Sequence, residues 1–187
     1  MFTLNIPNAL TLVRILLVPV LVVALLDETD GGDLLAAVVF ALASLTDAMD
    51  GYLARSRGSI TNFGKLMDPV ADKLLVIAAL IALVNLDRLY AWVAMVIIAR
   101  EFAVTVTRIY ATQQGLVIAA NIWGKAKTIT QVVAIFSVIA FDPAPLWVDL
   151  LVYGAVVITI ISGIDYFFGL RRTLREAGEV AIGSDAD

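Results

Sequence analysis

Four aspartates dominate the chemistry open to this chain: Asp47, Asp50, Asp68 and Asp72. Their spacings, i,i+3 for the first pair and i,i+4 for the second, put each pair on one face of a helix. The connection from Arg55 to Lys65 is short, so the two helices run antiparallel as neighbours and both pairs stand at one depth. Four negative charges in a small, partly dry space repel one another strongly. Either they take up protons or cations neutralise them. The 187-residue chain has no His and no Cys, which excludes imidazole catalysis, thiolate zinc and disulfides. Oxygen ligands alone favour a hard ion, so the expected cofactors are two divalent cations, Mg²⁺ or Mn²⁺. Such a pair suits in-line displacement at phosphorus. Two blander readings compete: ion bridges from the aspartates to Arg55, Lys65 and Lys73, or the ion site of a small cation transporter. A transport pathway would spread carboxylates across the membrane depth, whereas these lie on one rim.

The elements that must hold these residues are membrane helices. Hydrophobic residues make up 61% of the chain and charged residues 16%. A soluble domain carries about 45–50% and about 25%, respectively. The class expected is all-α: a polytopic integral membrane protein with six transmembrane helices. Spans of about 20 residues are needed, and the apolar runs fall near 8–26, 33–54, 69–86, 89–111, 125–141 and 145–170. They fill a single domain, 1–175, leaving a polar tail, 176–187, that reads as poorly ordered. The first run lacks a basic leader and a small-x-small cleavage site, so it reads as a retained helix with Pro7 in its first turn.

Of the thirteen basic residues only Arg88 belongs to one side, where acidic residues 27, 28, 30, 33, 87, 142 and 149 collect. The positive-inside bias then places both termini in the cytoplasm. A net charge of −4 offers nothing to nucleic acid, and the bilayer is the partner.

The string Asp47-Ala-Met-Asp50-Gly51-Tyr-Leu-Ala54-Arg55, followed by Gly64, Asp68 and Asp72, resembles the signature of the CDP-alcohol phosphatidyltransferase family at all eight fixed positions. That resemblance implies six transmembrane helices, an active site facing the cytoplasm from the inner membrane, and a homodimer. It also implies a CDP-linked lipid bound through two divalent metals, with release of CMP. Asp47, Asp50, Asp68 and Asp72 resemble the metal ligands, and Asp72 the base for the attacking hydroxyl. Gly51, Ala54 and Gly64 match the small signature residues, and Arg55 and Thr61 resemble contacts to the diphosphate and nucleotide.

The acceptor has to be read elsewhere. Arg14, Arg100, Arg108, Lys125 and Lys127 surround the expected mouth of the site and suit an acceptor carrying phosphate. Anchoring to anionic headgroups is the alternative for Lys125, Lys127 and Arg171. It is weaker for Arg14, Arg100 and Arg108, which read as deeper. Arg100 and Glu101, as sequence neighbours, should face different partners, with an inter-helix ion pair as one role. Three stretches, Asn5 to Arg14, Ile97 to Glu101 and Gly124 to Gln131, resemble bacterial members of the family that use CDP-diacylglycerol and sn-glycerol 3-phosphate. By that resemblance Asn8 and Thr11 contact the CDP-lipid. Inositol phosphate, serine and phosphatidylglycerol stay open as acceptors.

Overall fold

The computed structural model describes residues 6–27, 31–57, 62–113 and 122–184, with side chains described except at 6–8, 47–57, 62–69, 72 and 176–184. Six helices follow one another: α1 (Ile6–Leu26), α2 (Gly32–Arg57), α3 (Asn62–Asn85), α4 (Ala91–Gln113), α5 (Ile122–Ala140) and α6 (Leu146–Ser184). No strand occurs among the described residues. Packed neighbours form a ring in the order α1, α2, α5, α6, α4, α3, with α3 also touching α2 and α5. The expected α2–α3 adjacency exists, but each of the two packs more extensively on α1.

The burial pattern suits a bundle with an apolar surrounding. Leu16 is 68% exposed, Ile81 58% and Phe168 66%, while Arg14 is 1% exposed and Thr159 0%. Apolar side chains so widely presented need an apolar surrounding, and polar ones inside mark a functional interior. The core gathers Leu21, Phe40, Leu80, Leu83, Val93, Ile139 and Val148 around small residues such as Ala36, Ala43, Ala79 and Ala155. Small side chains let helices approach closely where lipid gives no hydrophobic drive between them.

Three helices among the described residues are long and apolar enough to cross a membrane: Ala9–Leu26, Ile122–Ala140 and Leu146–Arg175. Helix α4 has the length, 23 residues, but carries Arg100, Glu101 and Arg108. Among the described residues of α2 and α3 the shorter apolar stretches are Gly32–Thr46 and Lys73–Asn85.

Two turns at the acidic end show why the chain reverses where it does. Gly31 has φ +106°, and a Cβ on Gly32 would stand 2.6 Å from the Asp27 carbonyl oxygen. The first position needs a left-handed backbone and the second a bare one. After α3 the Asp87 N–H donates to the Val84 carbonyl and the Arg88 N–H to the Leu83 carbonyl, with Asp87 at φ 56°. This is the paired bonding of a Schellman cap, with Asp in place of the usual Gly.

The helices outrun the apolar runs. Helix α3 starts at Asn62 and not near 69, and α6 continues through Ser184, where a poorly ordered tail was expected. Apolarity marks only the lipid-crossing part of a helix. Leu174, Glu176, Ala177, Glu179 and Ala181 are good helix formers, and extending an existing helix avoids the nucleation cost.

Candidate functional site

The signature splits between two helices as its spacing requires. Asp47, Asp50, Gly51, Ala54 and Arg55 lie in the last part of α2, and Gly64, Asp68 and Asp72 in the first half of α3. In helical register Asp47 and Asp50 follow the buried Ala43 by four and seven residues, and Asp68 and Asp72 precede the buried Leu75 by seven and three. The side chains of these signature residues and of Asn8 lie outside the described ones, as does Thr61 altogether.

Helix α1 supplies the neighbouring wall. Thr11, Arg14, Val18, Leu21 and Leu25 form one buried stripe at helical spacing, facing α2 and α3. Arg14, at 1% exposure, is the largest fully buried side chain among the described residues. That agrees with the depth expected of it.

Glu101 gathers the other interior charges. Lys73 of α3 donates to Glu101 Oε2 at 3.3 Å. Lys127 of α5 and Arg100 of α4 both donate to Oε1, Arg100 at 3.3 Å. The second Arg100 amino group donates to Ser162 Oγ of α6 at 2.7 Å. Room for that crossing comes from Gly163, whose missing Cβ would lie 3.3 Å from Arg100 Cγ. The Glu101 carboxylate thus joins α3, α4 and α5, and Arg100 carries the network on to α6. Stripping one partner from such a buried set costs about 3–5 kcal/mol, because a charge is left uncompensated.

Several expectations change here. Lys73, a candidate ion-bridge partner for the aspartates, pairs with Glu101, while the aspartate side chains lie outside the described ones. Arg100 and Glu101 do touch despite their sequence adjacency, because both long side chains bend to the same point, while the inter-helix ion pairs expected of Glu101 are present as well. Lys125 is exposed and Lys127 buried, so only Lys125 suits headgroup anchoring. Arg108 is exposed and not deep, with its guanidinium 5.7 Å from the centre of the Tyr166 ring, a cation–π contact. Gln131, Thr159 and Ser162 escaped the sequence reading; small polar residues on apolar helices were the available signal.

The opposite end carries a brace. Arg88 forks onto Asp33 at 2.6 and 3.1 Å and reaches Asp142 at 2.8 Å, joining the start of α2, the α3–α4 turn and the α5–α6 loop. The hydrogen bond to Asp33, with the charges of Asp33 and Asp142, holds the Arg88 guanidinium above its ordinary pKa against desolvation. Asp33, Arg88 and Asp142 were expected on one side, and they meet.

With this geometry in place, comparison with known proteins decides the family. The CDP-alcohol phosphatidyltransferase family model matches residues 4–161.

The chain belongs to the CDP-alcohol phosphatidyltransferase family.

Similar relatives include a CDP-diacylglycerol–glycerol-3-phosphate 3-phosphatidyltransferase of Bacillus subtilis, 43% identical over 87% of this chain and 93% of the relative. A probable phosphatidylglycerophosphate synthase of Mycobacterium tuberculosis is 40% identical over 94% of this chain and 85% of the relative. A CDP-diacylglycerol–glycerol-3-phosphate 3-phosphatidyltransferase of Rickettsia felis is 34% identical over 90% of this chain and 96% of the relative. For a phosphatidyltransferase of this family, the Asp47–Asp72 signature falls well inside the matched stretch. The protein is accordingly a membrane transferase of phospholipid biosynthesis, and the transporter alternative is set aside.

Proposed function

We propose that the protein transfers the phosphatidyl group of CDP-diacylglycerol to sn-glycerol 3-phosphate, giving phosphatidylglycerophosphate and CMP. The observation that carries the reading is the complete signature on α2 and α3 in a chain 43% identical to a relative named for this reaction. The acceptor's 1-hydroxyl oxygen attacks the phosphorus bearing the diacylglycerol, and the bond from that phosphorus to CMP breaks. Asp72 takes the hydroxyl proton. A general base contributes most when it is positioned at the proton it removes.

The donor set fits two hard divalent cations. Four carboxylates stand in helical register, and the chain offers no imidazole or thiolate to select a softer ion. Asp47, Asp50, Asp68 and Asp72 would hold Mg²⁺ or Mn²⁺, which when bound neutralises charge on the diphosphate. Arg55 and Thr61, with Gly51, Ala54 and Gly64 leaving space, would receive the CDP moiety. Asn8 and Thr11 would line its approach from α1. Arg14, Arg100 and Lys127 are inward-facing cations suited to the acceptor phosphate. Lys125 and Arg108, both exposed, suit its approach from solution.

All six helices cross the bilayer in this reading. Both termini and the signature face the cytoplasm from the inner membrane, and two copies assemble as a homodimer. The charge split and the Arg88 brace at the other end support the orientation. The test is CMP release by purified protein given CDP-diacylglycerol, Mg²⁺ and a panel of acceptors. Release that is highest with glycerol 3-phosphate is expected. Preference for inositol phosphate, serine or phosphatidylglycerol would reassign the acceptor.

A further inference from the structure

Glu101 lies outside the signature, yet three of the interior cations meet at it. Its position follows from helix register. With a rise of about 1.5 Å per residue, Lys73 stands immediately beyond Asp72 on α3, towards the acidic end. Lys73, Arg100 and Lys127 come from α3, α4 and α5, and each is directed at the same carboxylate. Buried ion clusters are inefficient stabilisers, since apolar side chains of similar volume hold a bundle at least as well. What a carboxylate adds is direction. Each cation is held at a set place, which matters for a group that must receive a tetrahedral anion.

Two atoms beside the cluster reinforce this. Arg100 Nε and Gln131 Oε1 are buried and have no hydrogen-bond partner among the described residues. Gln131 sits one turn beyond Lys127 on α5. Arg100 is already fixed at both amino groups, by Glu101 and by Ser162, so its remaining N–H has a set direction. Buried polar atoms are nearly always satisfied in a working protein. These two are therefore polar atoms that a water or a polar guest in the interior could satisfy. Among the described residues the cluster brings three cations to one carboxylate, the sign a phosphate requires.

We propose that Glu101 is a positioning residue for the acceptor's phosphate, holding Lys127 and Arg100, with Lys73 behind them, in the arrangement that receives it. This rests on the reading that the acceptor carries phosphate. Glu101 itself touches cations and not substrate. Its removal should therefore weaken acceptor binding while sparing the CDP-lipid.

The experiment compares wild type, E101Q, E101D, K127M and the E101Q/K127M double variant by CMP release, varying glycerol 3-phosphate and CDP-diacylglycerol separately. E101Q is expected to raise KM for glycerol 3-phosphate about tenfold with kcat little changed, the signature of lost uniform binding. KM for CDP-diacylglycerol should stay within about twofold, and E101D should recover part of the loss because it keeps the charge at shorter reach. The double variant should bind the acceptor no worse than K127M alone, because Glu101 acts through Lys127. If E101Q does not fold, E101D and the double variant decide the same two points. Equal KM changes for both substrates, additive effects in the double variant, or a lower Tm with unchanged KM would overturn the role and leave Glu101 a brace between helices. A wild-type protein that prefers a phosphate-free acceptor would overturn both this inference and the reaction assigned above. One that uses glycerol 3-phosphate without the E101Q split overturns this inference alone.

Discussion

At the scale of single residues, the aspartates stand out in the sequence because chemistry and helical spacing agree. Carboxylates are costly on a membrane helix, and four of them at i,i+3 and i,i+4 demand a common purpose. Asp72→Asn should reduce CMP release roughly 10³-fold, within the range a general base contributes. Its thermal transition in detergent should be kept, since an amide is isosteric with the carboxylate. Near-normal turnover would remove Asp72 from the mechanism. Treatment with EDTA should likewise stop CMP release, and added Mg²⁺ or Mn²⁺ should restore it. Activity that survives exhaustive chelation would count against a metal role for the four carboxylates. Glu101 was less legible. Its partners Lys73, Lys127 and Ser162, the last reached through Arg100, lie on other helices, and no spacing rule pairs residues 26 or 28 apart.

Among elements, apolar runs located all six helices, but their ends obeyed other rules. Gly32 begins α2 because the α1 backbone passes too close for a Cβ. Gly32→Ala should therefore cost about 1–3 kcal/mol, as overpacking does, because a backbone carbonyl cannot swing aside. An unchanged Tm would show that the α1–α2 turn relaxes freely. Arg88→Ala breaks the brace between α2, the α3–α4 turn and the α5–α6 loop. Its partners Asp33 and Asp142 have side chains 41% and 42% exposed, so screening limits the cost to about 1 kcal/mol. For a chain of this length that is a Tm about 2–4 °C lower. The kinetics of CMP release should not change, because the brace stands at the end away from the signature. The raised pKa of Arg88 means its share of stability is complete below the ordinary arginine value and is lost only as pH climbs through the still higher folded value. Alkaline conditions in the working range should therefore leave the brace intact, and a brace lost there would contradict this sign.

For the whole molecule, orientation in the membrane is the question with the most direct answer. The chain has no natural cysteine, so single cysteines report sidedness without background. A cysteine at Arg175 should resist a membrane-impermeant maleimide added outside intact cells, whereas one at Asp87 should label. The reverse pattern would invert the topology and put the signature outside. A transferase that uses a cytoplasmic phosphate acceptor could not work in that orientation.

Sequence alone was enough for the presence of six helices and for the family. Hydrophobic run length is a local property, and the signature is a fixed pattern within 26 residues. Tertiary structure decided which way each helix is turned. Lys125 and Lys127 are two residues apart, and sequence treats them alike. Packing of α5 against α6 and α2 leaves Lys125 exposed and buries Lys127 against Glu101. Two residues span about 200° of helix, so a rotation settled by distant contacts sends one cation to the surface and the other to the interior.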